Sequence, residues 1–144
     1  MTGDPYDLDR FLKAQAADYA HALSELRAGQ KRSHWMWYIF PQVDGLGQSA
    51  MSRRYSIKST AEARAYLNHP VLGARLRESF AVVNDIQGRS VHQIFGSPDD
   101  MKLRSSATLF ASVSANEIFE RVLEKYFDGD ADEETVRRLR AMKD

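Results

Sequence analysis

KRSHWMWYIFPQ, Lys31 to Gln42, puts two Trp, a Tyr, a Phe, an Ile and a Met into six consecutive positions, behind a cationic pair and ahead of Pro41. A segment apolar on every side must be enclosed by other elements. Ser33 is a fair N-cap and Pro41 prevents continuation, which predicts a short helix over His34–Phe40. The same residues have high β propensity, and a buried strand would read alike. Helix is favoured because the chain offers no second convincing strand for pairing.

Working outward, helical periodicity dominates. Leu8, Phe11, Leu12, Ala16, Tyr19, Leu23 and Leu26 recur at steps of three and four, the apolar stripe of one helix. Asp4 ahead of Pro5 can cap its first turn, and Gly29 ends it. After the aromatic run, VDGLGQS is a loop, and Ser49 opens a short helical piece through Tyr55. Ser59-Thr60-Ala61-Glu62 is a capping-box pattern for a helix to Asn68. His69-Pro70 breaks it, with Pro70 as first residue of a helix carrying Leu72, Leu76, Phe80, Val83 and Ile86 to a stop at Gly88. Ser90 to Phe95 gives one or two turns closed by Gly96.

Ser97-Pro98-Asp99-Asp100 combines a capping Ser, Pro in first position and two acids in the first turn, ahead of Leu103, Ala107 and Phe110. Ser114 through Glu117 is a second capping box, before Ile118, Phe119, Val122, Leu123 and Tyr126, with Gly129 as the stop. Asp132 caps a last, charged helix through Met142 that is expected to fray. The expectation is an all-α single domain over residues 1–144, with seven or eight helices and short connections around the Trp-rich segment.

A domain of this length removes about 70 % of its unfolded surface from water. The absence of cysteine excludes disulfides, thiol catalysis and thiolate metal sites. No run approaches the ~18 apolar residues of a membrane span. The acidic start MTGDPYDLDR is unlike a leader, so a cytoplasmic protein without membrane contact is expected. Net charge is zero, but it is unevenly spread: Arg27, Lys31, Arg32, Arg53, Arg54 and Lys58 face only Asp44 within residues 27–58, between acidic ends. Either the ends neutralise this middle inside the fold, or it meets an anionic ligand.

Few motifs carry chemistry. His21, His34, His69 and His92 never form the i, i+4 pairs of helical metal sites, so no metal is expected. The GLG at Gly45–Gly47 lacks the rest of a dinucleotide fingerprint, and no cofactor is implied. Trp35 or Trp37 could stack a flat ring while Lys31, Arg32 or Arg54 holds an anion. They could equally form the core alone. His34 could act as acid or base near neutral pH. Asp99 and Asp100 complement a helix dipole, and Lys102 and Arg104 follow one turn on; beside the aromatic run they would complete one concave site. Interleaved bases and aromatics also suggest nucleic acid, but the basic segment is short and the domain neutral, which disfavours it.

The runs KRSHWMWYIFPQVDGLGQS, YLNHPVLGARL and IFGSPDDMKLRSSATLF, in that order, resemble the signature of the domain-of-unknown-function 1810 family, sometimes labelled calpastatin. The similarity extends from about Phe11 to Tyr126. It implies an all-helical domain of unusual arrangement and no established activity, and nothing here resembles the repeats of a protease inhibitor. Three functional readings follow from the residues. The first is binding of a small anionic, ring-bearing ligand such as a nucleotide derivative. The second is hydrolysis or transfer on such a ligand, with His34, Asp99 or Asp100 as acid–base groups and Lys31, Arg32, Lys102 or Arg104 stabilising charge. The third is an interaction module or homodimer presenting an apolar patch.

Overall fold

The computed structural model describes residues 3–142, and among them nine α-helices and no strand are found. They are α1 Asp9–Arg27, α2 Met36–Ile39, α3 Ala50–Arg54, α4 Thr60–Asn68, α5 Leu72–Asp85, α6 Val91–Phe95, α7 Asp99–Val113, α8 Ile118–Phe127 and α9 Glu133–Ala141. The count exceeds the expected seven or eight because each of the short pieces, α2, α3 and α6, is a separate element. α5 packs on α1, α4 and α8, while α7 packs on α4, α6, α8 and α9. A single parallel bridge, Val43 to Ile57, ties the loop after α2 to the segment after α3.

Ring contacts show how the aromatic run is enclosed. Tyr38 meets Tyr55 (5.2 Å between centroids), Tyr55 meets Phe11 (5.8 Å), and Phe11 meets Tyr66 (5.0 Å). Tyr66 continues to Phe110 (5.5 Å), Phe119 (5.8 Å) and Phe80 (5.2 Å), and Phe80 returns to Phe40 (4.8 Å). The path leaves α2 at Tyr38 and comes back two residues later, having touched α1, α4, α7, α8 and α5. Edge-to-face and tilted pairs at such spacings add about 0.5–1.5 kcal/mol each beyond area burial.

Several helix boundaries differ from the sequence expectation, each for a visible reason. α2 starts at Met36 rather than His34, because Ser33 spends its hydroxyl and N–H on Glu25 and caps nothing. α5 starts at Leu72 rather than Pro70, because His69 Nδ1 accepts from the N–H groups of Val71 (3.1 Å) and Leu72 (3.2 Å) and so serves as the cap. Pro98 stands one residue outside α7, after a cis Ser97–Pro98 peptide, and the free Asp100 N–H is taken by the Gly96 carbonyl (2.8 Å). Glu117 is no capping-box partner either. Its carboxylate accepts from Ser114 and is held by Arg77 (2.7 and 3.1 Å), while Glu120 takes the Asn116 N–H (2.8 Å).

Other caps follow the sequence. Ser49, Ser59 and Asp132 accept from the third residue on, and Ser90 with Gln93 forms a complete capping box. α9 is docked through the fully buried Thr135, whose hydroxyl and N–H both bond Asp132. Gly73 is required by a close approach: a Cβ there would lie 2.0 Å from the Leu67 carbonyl oxygen.

Candidate functional site

The aromatic run is fastened by one carboxylate. Glu25, in the last two turns of α1, accepts at Oε1 from the N–H groups of Arg32 (2.8 Å) and Ser33 (3.0 Å) and from the Trp35 indole (2.9 Å). Its Oε2 accepts from the Ser33 hydroxyl (2.6 Å) and lies 2.8 Å from His21 Nε2. Burial works against ionisation, but the donors of Ser33, Arg32 and Trp35 outweigh it and hold the carboxyl down to about 2. Trp35 is 1 % exposed, so neither indole face is open to a ligand.

Lys31, Asp99, Lys102 and the two tryptophans do meet. Lys31 Nζ lies 2.8 Å from Asp99 Oδ2 and 5.0 Å from the Trp35 ring centroid, and its side chain is buried. Lys102 Nζ stands 3.4 Å from Asp99 Oδ1 and 5.6 Å over the half-buried Trp37 ring. This bracket of two ammonium groups around one carboxylate joins the N-terminus of α7 to the aromatic run, and every charge in it is matched except one.

The remaining sequence candidates lie apart from that bracket. His34 is exposed, and its imidazole makes no hydrogen bond or ion pair with the described residues. Arg32 reaches Gln30 (3.3 Å). Asp100 faces His92 Nδ1 (3.3 Å). Arg104 donates to the carbonyls of Asp130 (2.8 Å) and Ala131 (3.1 Å), closing the turn before α9. No described cavity is lined by Lys31, His34, Trp35 or Asp99. Among the described residues no group of three or more His, Asp or Glu side chains could hold a metal ion.

Arg54 belongs to a different place. An open cleft of about 620 Å³ is bounded by the N-terminal turn (Pro5, Tyr6, Asp7), by Arg53 and Arg54 at the end of α3, and by Lys58 and Ser59 before α4. Its floor is the buried pair Arg10–Glu62 (2.7 Å). Arg10 uses all five guanidinium N–H groups, on the carbonyls of Arg54, Tyr6, Asp7 and Ser56 and on Glu62. Glu62 gives its other oxygen to the Lys58 N–H (2.9 Å).

The cations on the rim are spent far less. Arg53 has only a 3.5 Å contact to Gln48, and Arg54 a 3.4 Å contact from Nε to the Tyr55 hydroxyl. Lys58 reaches Ser56 Oγ (3.0 Å) and the Arg53 carbonyl (3.4 Å). None of the three forms an ion pair with a described carboxylate. Sequence reading found the charge excess of this segment but not its geometry. The missed residues are Tyr6, Asp7, Arg10 and Glu62; Arg10 is one of three polar side chains that α1 buries, with Gln15 and Glu25, and no local pattern sets it apart.

The family described as "Protein of unknown function (DUF1810)" matches residues 5–139. The crystal structure of the conserved hypothetical protein Rv1873 from Mycobacterium tuberculosis is 53 % identical in sequence, with a TM-score of 0.94 over 97 % of this chain and 100 % of that one. No match is found among the curated proteins. No described helix is long and apolar enough to cross a membrane.

Proposed function

We propose a function for this chain, which belongs to the DUF1810 family, from the chemistry of one cleft: it binds a small anionic, ring-bearing ligand between the N-terminal turn and the α3–α4 connection. What carries the reading is that Arg53, Arg54 and Lys58 line one concavity without carboxylate partners. The cleft is of the size that holds small ligands, about 300–1,000 Å³. Guanidinium forks suit oxyanions, and the exposed Tyr6 with Pro5 supplies apolar surface for a ring. In this reading the Trp-rich segment is the structural centre of the molecule, and Lys31, Trp35 and Asp99 hold α7 to it. Binding without turnover is preferred, since Glu62 on the cleft floor has both oxygens occupied and His34 lines no described cavity.

Thermal melting with millimolar AMP tests this, on the parent chain and on Arg54→Gln/Lys58→Gln. A ligand at ten times its Kd stabilises by about 1.4 kcal/mol, or about 4 °C in a domain of this size. The expected result is such a rise in the parent and its loss in the variant. No rise with AMP, inorganic phosphate or a sugar phosphate would overturn the proposal, and so would an equal rise in both proteins.

A further inference from the structure

We infer that the cleft selects a dianion, specifically a phosphomonoester attached to a ring, over a monoanion of the same shape. The inference rests on reading the cleft as an anion site and adds the ligand's charge. Six charged side chains line it: Asp7, Arg10, Arg53, Arg54, Lys58 and Glu62. Arg10 and Glu62 cancel one another, with every donor of the first and both oxygens of the second already bonded. Among the lining side chains three cations then face one carboxylate, Asp7, which leaves two positive charges; Asp44 lies outside the lining and reaches Lys58 only through the Ser56 hydroxyl.

The unspent donors match a phosphomonoester in kind and number. Arg53 and Arg54 are consecutive; Nη1 of Arg53 and both terminal amino groups of Arg54 make no hydrogen bond with the described residues. Lys58 is held by Ser56, whose hydroxyl donates in turn to Asp44 (2.7 Å), and by the Arg53 carbonyl, which leaves one N–H of its ammonium for a ligand. Two forks and one ammonium meet the three terminal oxygens of a phosphomonoester, whereas a carboxylate has two. A phosphomonoester carries about −1.5 to −2 charges at pH 7, with its second ionisation near pH 6.

The test compares phenyl phosphate with benzenesulfonate, two tetrahedral oxyanions on one ring that differ by a charge and by the ester oxygen, by calorimetric titration between pH 5 and pH 8; at pH 5, where both are monoanions, the pair reports the effect of the ester oxygen alone. At pH 7.5 phenyl phosphate is expected to bind about ten-fold tighter, the scale of one added unit charge a few ångströms from partly hydrated cations. The advantage should shrink toward parity at pH 5, with a midpoint near 6. Benzenesulfonate does not titrate in this range, so it reports any change in the protein itself. Arg54→Gln should reduce the phosphate preference while both probes still bind. Equal affinity for the two probes at pH 7.5, with both weakened by Arg54→Gln, overturns the dianion inference and leaves the anion cleft standing. Binding of neither probe, or binding untouched by Arg54→Gln and by Lys58→Gln, overturns both.

Discussion

Protonating Glu25 should release the aromatic run from α1, and its cost can be worked from the site. The carboxyl is held at about 2 in the fold, against an ordinary value of 4.5. Its side chain is only 7 % exposed, so solvent screening does not discount the interaction. A difference of about 2.5 in pKa corresponds to about 3 kcal/mol, at 1.36 kcal/mol for each unit. Because the folded value is the lower one, this stability is fully present above about pH 4.5 and is lost as the pH falls toward 2. It would be a large share of the roughly 5–15 kcal/mol that holds a domain together.

Urea unfolding followed by tryptophan fluorescence, on the parent chain and on Glu25→Gln, isolates this term from other acids such as Glu117, which Arg77 also holds below its usual range. Gln preserves the size of the side chain but removes its charge and turns an amide toward donors that want an acceptor. The expected difference is about 3 kcal/mol at pH 7, narrowing below pH 4 as the parent loses what the variant never had. A gap under 1 kcal/mol at pH 7, or one that stays constant from pH 7 to pH 3, would refute the assignment of Glu25 as the anchor.

Arg10→Ala should cost about 3–5 kcal/mol, since it strands a buried Glu62 carboxylate. Adding Glu62→Gln should then cost less than the two single changes summed, and additive losses in chemical denaturation would argue against the pair. Gly73→Ala sets a helix-propensity gain of about 1 kcal/mol against a Cβ placed 2.0 Å from the Leu67 carbonyl oxygen. The contact is with backbone and should win, lowering stability by about 2 kcal/mol; an unchanged or raised melting temperature would contradict it. His34→Ala should leave stability within about 0.5 kcal/mol, because the imidazole is exposed and bonds nothing described. A larger loss by calorimetry would give that residue a structural role it lacks here.

The all-helical class and most helix boundaries were legible because they depend on local chemistry. The stripe from Leu8 to Leu26 (Ala16 excepted, which is exposed), the caps at Ser49, Ser59, Ser90 and Asp132, and the burial of Trp35, Met36, Tyr38, Ile39 and Phe40 are all decided within a few turns. Where the reading failed, a distant group had claimed the residue. Ser33 looks like a cap until Glu25, eight positions back, takes its hydroxyl. Ser114 and Glu117 look like a capping box until Arg77, forty positions back, holds the carboxylate. The floor of the cleft was illegible for the same reason, since Arg10 meets Glu62 across fifty-two positions.

The basic middle of the sequence admitted two readings, neutralisation within the fold or an anionic ligand, and the fold divides the segment between them. Lys31 is absorbed by Asp99, under a tryptophan whose N–H belongs to Glu25. Arg27 reaches Glu78 at 3.8 Å. From Arg53 onward the balance changes, because the nearest buried carboxylate, Glu62, is already taken by Arg10 from below and by a backbone N–H. An ion pair completed in the core thus leaves the three cations above it with Asp7 as the single carboxylate lining the cleft beside them. Had Arg10 been apolar, Glu62 would have been free to neutralise Lys58 or Arg54. The arginine that secures α1 to α4 is therefore also what keeps the rim of the cleft positive, which is why stability and anion binding should both respond to position 10 but only binding to position 54.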